Sequence, residues 1–292
     1  MGLLLHGQCA MNRKSFLLLS VASTIGCESV NRLAKSAPLT IEEYVGQMVE
    51  IPGGGFWMGN DNPDKAEEFT DETKNQSPMH YVELSSFKFG STPVTVAMWR
   101  QYVKQNPKLS MPPLPEWDWV DDYPITNISW YDIMGTDGLG GYCKWASKVT
   151  GRRLMLPTEA HFEYASTGGD YTKYPWGDTF DKDKLWCDSF VPAPVVRVER
   201  SFHNKFGITD VVGNVKQWCW DWETPYKINV RDRLGYRLPF KNPIGPRDGT
   251  FCAIRGSYSV QADPVVHQCH FRSSASPGNS NTGIGFRVCE WS

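Results

Sequence analysis

The segment from Arg255 to Val288 constrains this chain more than any other. It opens with Arg-Gly, closes with Gly-Phe-Arg-Val, and is filled mainly with Ser, Asn, Gly, Ala and Thr around single aromatic residues. It has no 3.6-residue period and only fragments of strand alternation, which indicates loops held between short strands. Loops held by a scaffold are the usual place for binding residues. The fold must therefore support a long irregular segment close to its carboxyl end.

The residue types in this segment follow a coding restriction. An asparagine codon whose two adenines are replaced by any base encodes every amino acid except Lys, Glu, Gln, Met and Trp. The segment contains no Lys, Glu, Met or Trp, although the chain has 12 Trp and 9 Met, and only Gln261 and Gln268 break the pattern. This composition indicates diversification at adenines. The alternative is an ordinary Ser/Gly-rich surface loop.

The predicted ligand-binding positions are residues of the segment that such codons encode. We expect aromatic and His residues to supply rigid contacts and small polar residues to supply adaptable hydrogen bonds, as in antibody paratopes. The candidates are Tyr258, Ser259, Val260, Ala262, Asp263, Val265, His267, His270, Phe271, Ser273, Ser274, Ala275, Ser276, Gly278, Ser280, Asn281 and Thr282. Phe286 is expected in the core. We expect Arg255, Arg272 and Arg287 to pair with carboxylates or carbonyls and hold the loops.

The amino terminus has the features of an export signal. Met11 precedes a charged Asn-Arg-Lys stretch, an apolar run over 16–22 that is too short to span a bilayer, and small residues before Cys27. The end of this pattern resembles a lipoprotein signal. We therefore expect residues 1–27 to be a leader, with Met11 as an alternative start and Cys27 as the lipidated residue. A plain secretory signal and a buried apolar segment are the alternatives.

Residues 28–40 are predicted to be a polar linker and residues 41–292 one domain. A formal net charge of −2 gives no reason to expect a nucleic-acid partner, and no Lys/Arg run does so locally. We expect a monomer that contacts a membrane only through its lipid and binds an unidentified protein or cell-surface ligand. An exported chain can form disulfides, and their connectivity is open among six cysteines. These are Cys143, Cys187, Cys219, Cys252, Cys269 and Cys289.

Local patterns predict short strands and a few helices. The strands are predicted within 48–59, 81–89 and 215–221, and the helices within 41–47, 95–103, 127–150 and 154–165. Ser129 and Thr158 are predicted N-caps, and Gly151 suits the position after a helix end. We expect His161 to be a packed or solvent-edge residue and not a ligand.

Seven segments, taken in order, resemble the signature segments of the formylglycine-generating-enzyme (sulfatase-modifying factor) family. They are Met48–Gly59, Pro93–Thr95, Asn127–Asp132, Gly151–Gly169, Tyr174–Asp178, Gly207–Asp221 and Arg255–Val288. The resemblance covers Glu42 to the carboxyl terminus. It implies an α+β fold, namely a single irregular C-type-lectin-like domain with short antiparallel strands, two or three helices and long loops.

The chain departs from the enzymatic members of this family at their catalytic cysteines. Those members carry a CxxxxC pair after an RGGSW-like segment, and a copper–thiolate site needs both sulfurs. The corresponding positions, near Gln261 and Val266, are not cysteine, and Cys269 stands alone. We therefore expect no catalytic residue, cofactor or metal; the alternative is a formylglycine-generating-type cysteine oxidase or a related sulfur-chemistry enzyme. In the family's calcium segment, here Gly213–Trp218, Gln217 replaces a glutamate, and structural calcium stays open.

The end of the segment also resembles the variable regions of proteins diversified by diversity-generating retroelements. Such regions close on a pattern like FRxxxxPxxxxxxIGFRV, and Phe271–Val288 matches it at every fixed place. The resemblance implies a non-catalytic, surface-displayed ligand-binding protein whose display region, residues 255–288, varies to change specificity. With the lipoprotein-like start, we expect lipid anchoring at the cell surface or outer membrane.

Overall fold

The computed structural model describes residues 39–60, 74–136, 141–195, 202–231, 233–235 and 237–291. The predicted leader, Cys27 and the linker up to residue 38 lie outside the described residues. The helices are α1 Ile41–Val45, α2 Val96–Gln105, α3 Trp130–Met134, α4 Tyr142–Thr150 and α5 Glu159–Thr167. The strands are β1 Met48–Ile51, β2 Gly54–Met58, β3 His80–Leu84, β4 Phe87–Gly90, β5 Leu154–Met155, β6 Lys216–Trp222, β7 Phe240–Lys241, β8 Cys252–Arg255, β9 Arg272–Ala275, β10 Ile284–Gly285 and β11 Cys289–Trp291.

Local capping chemistry fixes where the helices begin and end. Ser129 accepts a hydrogen bond from the backbone N–H of Asp132, and Thr158 accepts one from His161, so both predicted N-caps are confirmed. Gly151 adopts a left-handed conformation with φ of 68° after α4, as a residue without a Cβ readily does. The helix ends at these caps therefore follow from nearby residues, but the predicted helix over 127–150 is two helices, α3 and α4, and the one predicted within 154–165 begins only at Glu159.

The described strands form three sheets, and the second contains strands of the display region. One has the strand order β1-β4-β11-β5, the second β10-β6-β8-β9, and the third β2-β3-β7. The end strand β11 pairs antiparallel with both β4 and β5, which fixes the carboxyl end of the display region inside the first sheet. Strands β9 and β10 hold two inner stretches of the display region on opposite edges of the second sheet. The segment is thus tied to the scaffold at several points.

The core consists of two large apolar clusters and a smaller one. The first packs Trp99, Tyr142 and Phe286 together, and Trp99 stacks on Tyr142 with ring centroids 5.4 Å apart. The second gathers Phe89 and Phe162, whose rings meet edge to face at 5.9 Å. Phe286 is fully buried, as predicted. Burying such aromatic rings contributes most of the favourable free energy of a core this size.

The α+β class is confirmed, and two of its expected details change. The described residues contain five helices and not two or three, because α1 and α3 are short helices of five residues, each stabilised by its own cap. Strand pairing is mostly antiparallel, but β10 pairs parallel with β6 and β7 pairs parallel with β3. Within the described residues, every helix is too short or too polar to cross a bilayer.

Candidate ligand-binding site

Three buried arginines hold the display region in place. Arg255 donates to the carbonyls of His270 and Phe271 at 3.1 and 3.0 Å and pairs with Glu163. Arg272 grips Glu159 through two bonds of 2.8 and 2.6 Å. Bidentate guanidinium–carboxylate pairs are both strong and orientation-specific. The predicted loop-holding role of these two arginines is confirmed.

Arg287 acts on the other end of the segment. Its guanidinium donates to the carbonyls of Gly90, Thr209 and Asp210 at 2.8–2.9 Å, and its Nε donates to Gln217 at 2.6 Å. These bonds tie the segment to β4, to β6 and to the turn before β6. Arg287 pairs with carbonyls, as predicted.

The carboxylate that Arg272 grips is held in its charged form. Burial disfavours the charged form of Glu159, but Arg272 beside it, with Arg255 contributing less, outweighs that penalty and lowers the pKa of the carboxyl. The Glu159 side chain lies at the start of α5, where negative charge is favoured. The ion pair of Glu159 and Arg272 therefore links α5 to β9.

Thirteen of the seventeen predicted positions reach solvent and four do not. The exposed ones are Val260, Ala262, Asp263, Val265, Ser274, Ser276, Gly278, Ser280 and Asn281. The partly exposed ones are Tyr258, Ser273, Ala275 and Thr282. The buried ones are Ser259, His267, His270 and Phe271. The expectation that all of them face a ligand is wrong for these last four.

The two histidines point inward because polar partners hold them there. Nδ1 of His267 lies 2.5 Å from the Ser257 hydroxyl, and its Nε2 lies 3.0 Å from the Gln261 carbonyl. Nε2 of His270 lies 2.7 Å from Oε1 of Gln268, and burial, with Arg255 adding to it, lowers the pKa of His270 to about 3. Burial also lowers the pKa of His267, so both histidines are neutral parts of the scaffold.

The other two corrections also have local causes. Phe271 is only 4% exposed, and its carbonyl accepts from Arg255, so backbone and ring are both fixed inward. Ser259 forms a backbone bridge: its N–H donates to Asn214 at 3.0 Å and its carbonyl accepts from Ser189 at 2.8 Å. Ser259 thus connects the segment to neighbouring loops, and neither residue is available to a ligand.

Six of the predicted positions line one groove with a volume of about 350 Å³. They are Tyr258, Val260, Ser273, Ser274, Ala275 and Asn281. The groove brings together the start of the display region, strand β9 and the loop before β10. Residues that are far apart in the sequence thus share one surface, and this is the candidate site.

Two contacts shape the groove. A Cβ placed on Gly283 would lie 2.9 Å from the Tyr258 ring, so that ring lies directly against the glycine backbone. The side-chain oxygen of Asn281 accepts from the N–H of Gly283 at 2.9 Å. The backbone carbonyl of Asn281 accepts from the N–H of Asn127 at 3.0 Å. Tyr258 is therefore packed on one side and partly open on the other, as suits a rigid aromatic contact.

Other lining residues were missed by the sequence-based prediction. Asn279 belongs to the display region and is codon-compatible, so the composition rule itself could have included it. Gln261 was set aside because no altered asparagine codon encodes Gln. Lys216 reaches the groove only because β10 pairs with β6, where Ile284 is opposite Lys216. No local signal in the sequence reveals that pairing.

The remaining exposed candidates lie away from the groove. Ser280 lines a separate cavity of about 430 Å³ beside α2 and α3. Asp263 caps the 3-10 turn that follows it, accepting from the N–H of Val265 at 2.9 Å. Ala262 and Val265 are exposed but line neither cavity. The predicted positions therefore do not all line the same cavity.

Near Gln261 and Val266, where the resemblance places the family's cysteine pair, the side chains are an amide and an apolar group. Val266 is buried and Gln261 is partly exposed, and burial raises the pKa of the Cys269 thiol, so it stays protonated. All six cysteines in the described part of the chain are buried and free of disulfides. The side-chain amide of Gln217 is fully engaged by protein groups: its nitrogen donates to the Asp210 carbonyl and its oxygen accepts from Arg287. No three His, Cys, Asp or Glu residues among those described are grouped to hold a metal ion.

The fold and groove define an α+β domain of the C-type-lectin-like class that presents loops from a rigid scaffold. Residues 34–291 match the family model described as "Sulfatase-modifying factor enzyme 1-like domain", and the chain belongs to that family. Its PvdO structural neighbour, from Pseudomonas aeruginosa, has a TM-score of 0.67 and 22% identity over 84% of this chain and 94% of PvdO. A second structural neighbour, variable protein 1 of Treponema denticola, has a TM-score of 0.63 and 21% identity over 84% of this chain and 95% of its own.

Sequence relatives include both enzymes and a protein named inactive. The formylglycine-generating enzyme of Bos taurus is 26% identical over 82% of this chain and 74% of its own length. The inactive C-alpha-formylglycine-generating enzyme 2 of Mus musculus is 28% identical over 59% of this chain and 67% of its own length. Serine/threonine-protein kinase pkn1 of Chlamydia caviae is 27% identical over 84% of this chain, which spans only 38% of that protein. Family membership alone therefore does not assign catalysis.

Proposed function

We propose that this chain is a non-catalytic, ligand-binding member of its family, in which a retroelement diversifies the display region and thereby changes specificity. Its ligand is an unidentified protein or cell-surface group. The chain acts as a monomer, exported and held at the cell surface or outer membrane by a lipid on Cys27. Its leader pattern supports the last part of this proposal, since an apolar run over 16–22 precedes small residues and Cys27.

One observation carries the proposal: six of the positions chosen from the codon pattern, spread along the chain from Tyr258 to Asn281, line one groove. The three arginines of the same segment, Arg255, Arg272 and Arg287, are buried. Substitution is therefore permitted where side chains face the groove and restricted where they hold the backbone. A segment built in this way can change its contacts without changing its fold.

The physics of binding favours such a groove. Arg255, Arg272 and Arg287 fix the backbone before a ligand arrives, so little ordering entropy is lost on binding. Tyr258 supplies an aromatic face, while Ser274 and Asn281 supply hydrogen-bonding groups. A volume near 350 Å³ is at the lower end for small-molecule sites, which suits one side chain or one sugar of a larger ligand.

The chemistry of the segment supports a role without catalysis. A cysteine oxidase of this family type needs two thiolates on one soft metal ion. The resemblance places that pair near Gln261 and Val266, which are not cysteines, and burial raises the pKa of the Cys269 thiol. The oxidase reading remains the second candidate because the Bos taurus relative is an enzyme.

The DNA beside the gene tests the proposal directly. We expect a near-identical second copy of the stretch that encodes residues 255–288, differing only at adenines, next to a reverse-transcriptase gene. In sequences from a growing population, changes should concentrate at codons such as those of Tyr258 and Ser274 and spare those of Arg255 and Arg272. A neighbouring sulfatase gene without a template copy would support the oxidase reading instead.

A further inference from the structure

A hairpin whose described residues are 228–231, 233–235, 237 and 238 leads into the third sheet, and none of these residues lines the groove. The N–H of Leu238 donates to the carbonyl of Val230 at 2.7 Å, and Arg231 bridges antiparallel to Arg237. Gly235 makes the turn with φ of 86°, and its carbonyl accepts from Arg231 at 2.6 Å. The element is therefore a defined hairpin with its own internal hydrogen bonds.

A buried asparagine pins the base of this hairpin. The side chain of Asn229 accepts from the N–H of Tyr81 at 2.6 Å and donates to the carbonyls of Tyr81 and Leu238 at 2.9 and 3.0 Å. The strand that follows, β7, pairs with β3. Both arms are thus fixed to the same strand of the scaffold, so the position of the hairpin does not depend on the display region.

Four large aliphatic side chains of the hairpin face solvent. Ile228 is 65% exposed, Val230 71%, Leu234 82% and Leu238 50%. A single exposed aliphatic residue is ordinary, but four within one short element are not. Leu234 lies at the turn and is the most exposed of the four. This concentration of exposed aliphatic side chains marks an interaction surface.

The hairpin and the residues that flank it are strongly cationic in a chain whose formal net charge is −2, although one flanking cation, Lys241 of β7, pairs with Glu83 at 3.6 Å. Residues 227–241 contain Lys227, Arg231, Arg233, Arg237 and Lys241 against a single Asp. All five cations are exposed. Arg237 also lies over the ring of Trp57, 5.6 Å from its centroid, and that ring is partly exposed. The surface thus combines aliphatic, aromatic and cationic side chains, and its charge calls for an anionic partner.

We propose that this hairpin docks on an anionic lipid surface. Aliphatic side chains next to Arg and Lys suit the boundary between head groups and acyl chains, where the apolar atoms enter the bilayer and the cations stay with the phosphates. A protein partner would have to offer a separate pocket for each of the four aliphatic side chains, whereas a bilayer accepts them without shape complementarity. The hairpin would be a membrane contact additional to the lipid predicted on Cys27.

Vesicle flotation with the full chain tests this proposal. A Cys27→Ser background removes lipidation, and every variant shares the same leader, so differences report on the hairpin alone. We expect flotation with vesicles that contain phosphatidylglycerol, little with pure phosphatidylcholine, and release by salt. Leu234→Ser should lower partitioning about tenfold. Lys227→Gln with Arg233→Gln should lower it about fivefold for each charge removed.

Matched substitutions elsewhere provide the controls. Leu114 is as exposed as Ile228, and Leu114→Ser should leave partitioning unchanged. Lys104→Gln with Lys148→Gln removes two exposed charges from α2 and α4 and should change partitioning little. Equal flotation of the parent and both hairpin variants would overturn the proposal. So would a loss confined to the charge variant, because that result would indicate a soluble polyanion or an acidic protein and not a bilayer.

Discussion

Replacing four exposed residues of the display region at once should leave the fold intact. The changes are Val260→Asn, Ala262→Asp, Ser274→Tyr and Ser276→His, each to a residue that an altered asparagine codon encodes. All four side chains are exposed. Surface substitutions usually change the free energy of unfolding by no more than ~0.5 kcal/mol each. The four together should therefore change it by at most about 2 kcal/mol, and by less where their signs oppose.

Buried residues of the same segment should respond differently. Phe271→Ala truncates a ring that is only 4% exposed, which should cost about 3–5 kcal/mol. Arg272→Met leaves the buried carboxylate of Glu159 without its main cation, a change that typically costs about 3–5 kcal/mol. Ser274, two residues further along the same strand, is the matched exposed position.

Urea unfolding followed by tryptophan fluorescence measures these differences. With an m value of about 3 kcal/mol per molar, at the upper end for small proteins, the buried variants should lower the midpoint by about 1–1.7 M. The fourfold exposed variant should shift it by less than about 0.7 M. If that variant lost cooperative unfolding while Phe271→Ala was unharmed, the assignment of inside and outside would be refuted, and the binding role with it.

Three further predictions concern chemistry, export and pH. Purified protein, with or without copper, should not convert the cysteine of a sulfatase-type peptide to an aldehyde, and an aldehyde mass above a boiled control would contradict this. Cells fed labelled palmitate should label the wild type and not Cys27→Ala; equal labelling would remove the anchor. Burial holds the pKa of His270 at about 3, below the unfolded value near 6.5. Between about pH 3 and 6.5 the unfolded chain therefore binds a proton that the folded chain does not. The free energy of unfolding falls as the pH falls through this range, by up to about 1.4 kcal/mol per pH unit. His270→Asn should therefore reduce the slope of unfolding free energy between about pH 4 and 6, and an unchanged slope would show that His270 is not buried neutral.

Much of the architecture could be predicted from local sequence because its causes are local. Ser129 and Thr158 cap their helices through atoms three residues away, and Gly151 ends a helix because it lacks a Cβ. Arg255 and Arg287 could be assigned to the scaffold because a guanidinium presents several N–H donors that need acceptors. Such inferences need no knowledge of distant residues.

Orientation within the display region depended on tertiary structure. Composition tells which residues a codon can encode, but not which way each side chain points. His267 and Phe271 look like exposed contacts in the sequence, yet the 3-10 turn over 264–267 and the hydrogen bonds of Arg255 turn them inward. A period of two cannot be extended through such a turn, so alternation gives no reliable account of these positions.

The groove forms only because distant segments meet, and a distant strand fixes the position of the hairpin. Lys216 joins the groove through the pairing of β10 with β6, and the hairpin over 228–238 is held by Asn229 against β3. The cations of that hairpin are spaced along the chain and form no run in the sequence; folding gathers them beside exposed aliphatic side chains. The sequence by itself determined the family, the fold class and the segment that carries the candidate groove. The tertiary structure decided which side chains reach solvent, because burial depends on what packs against each residue and not on its neighbours in the chain.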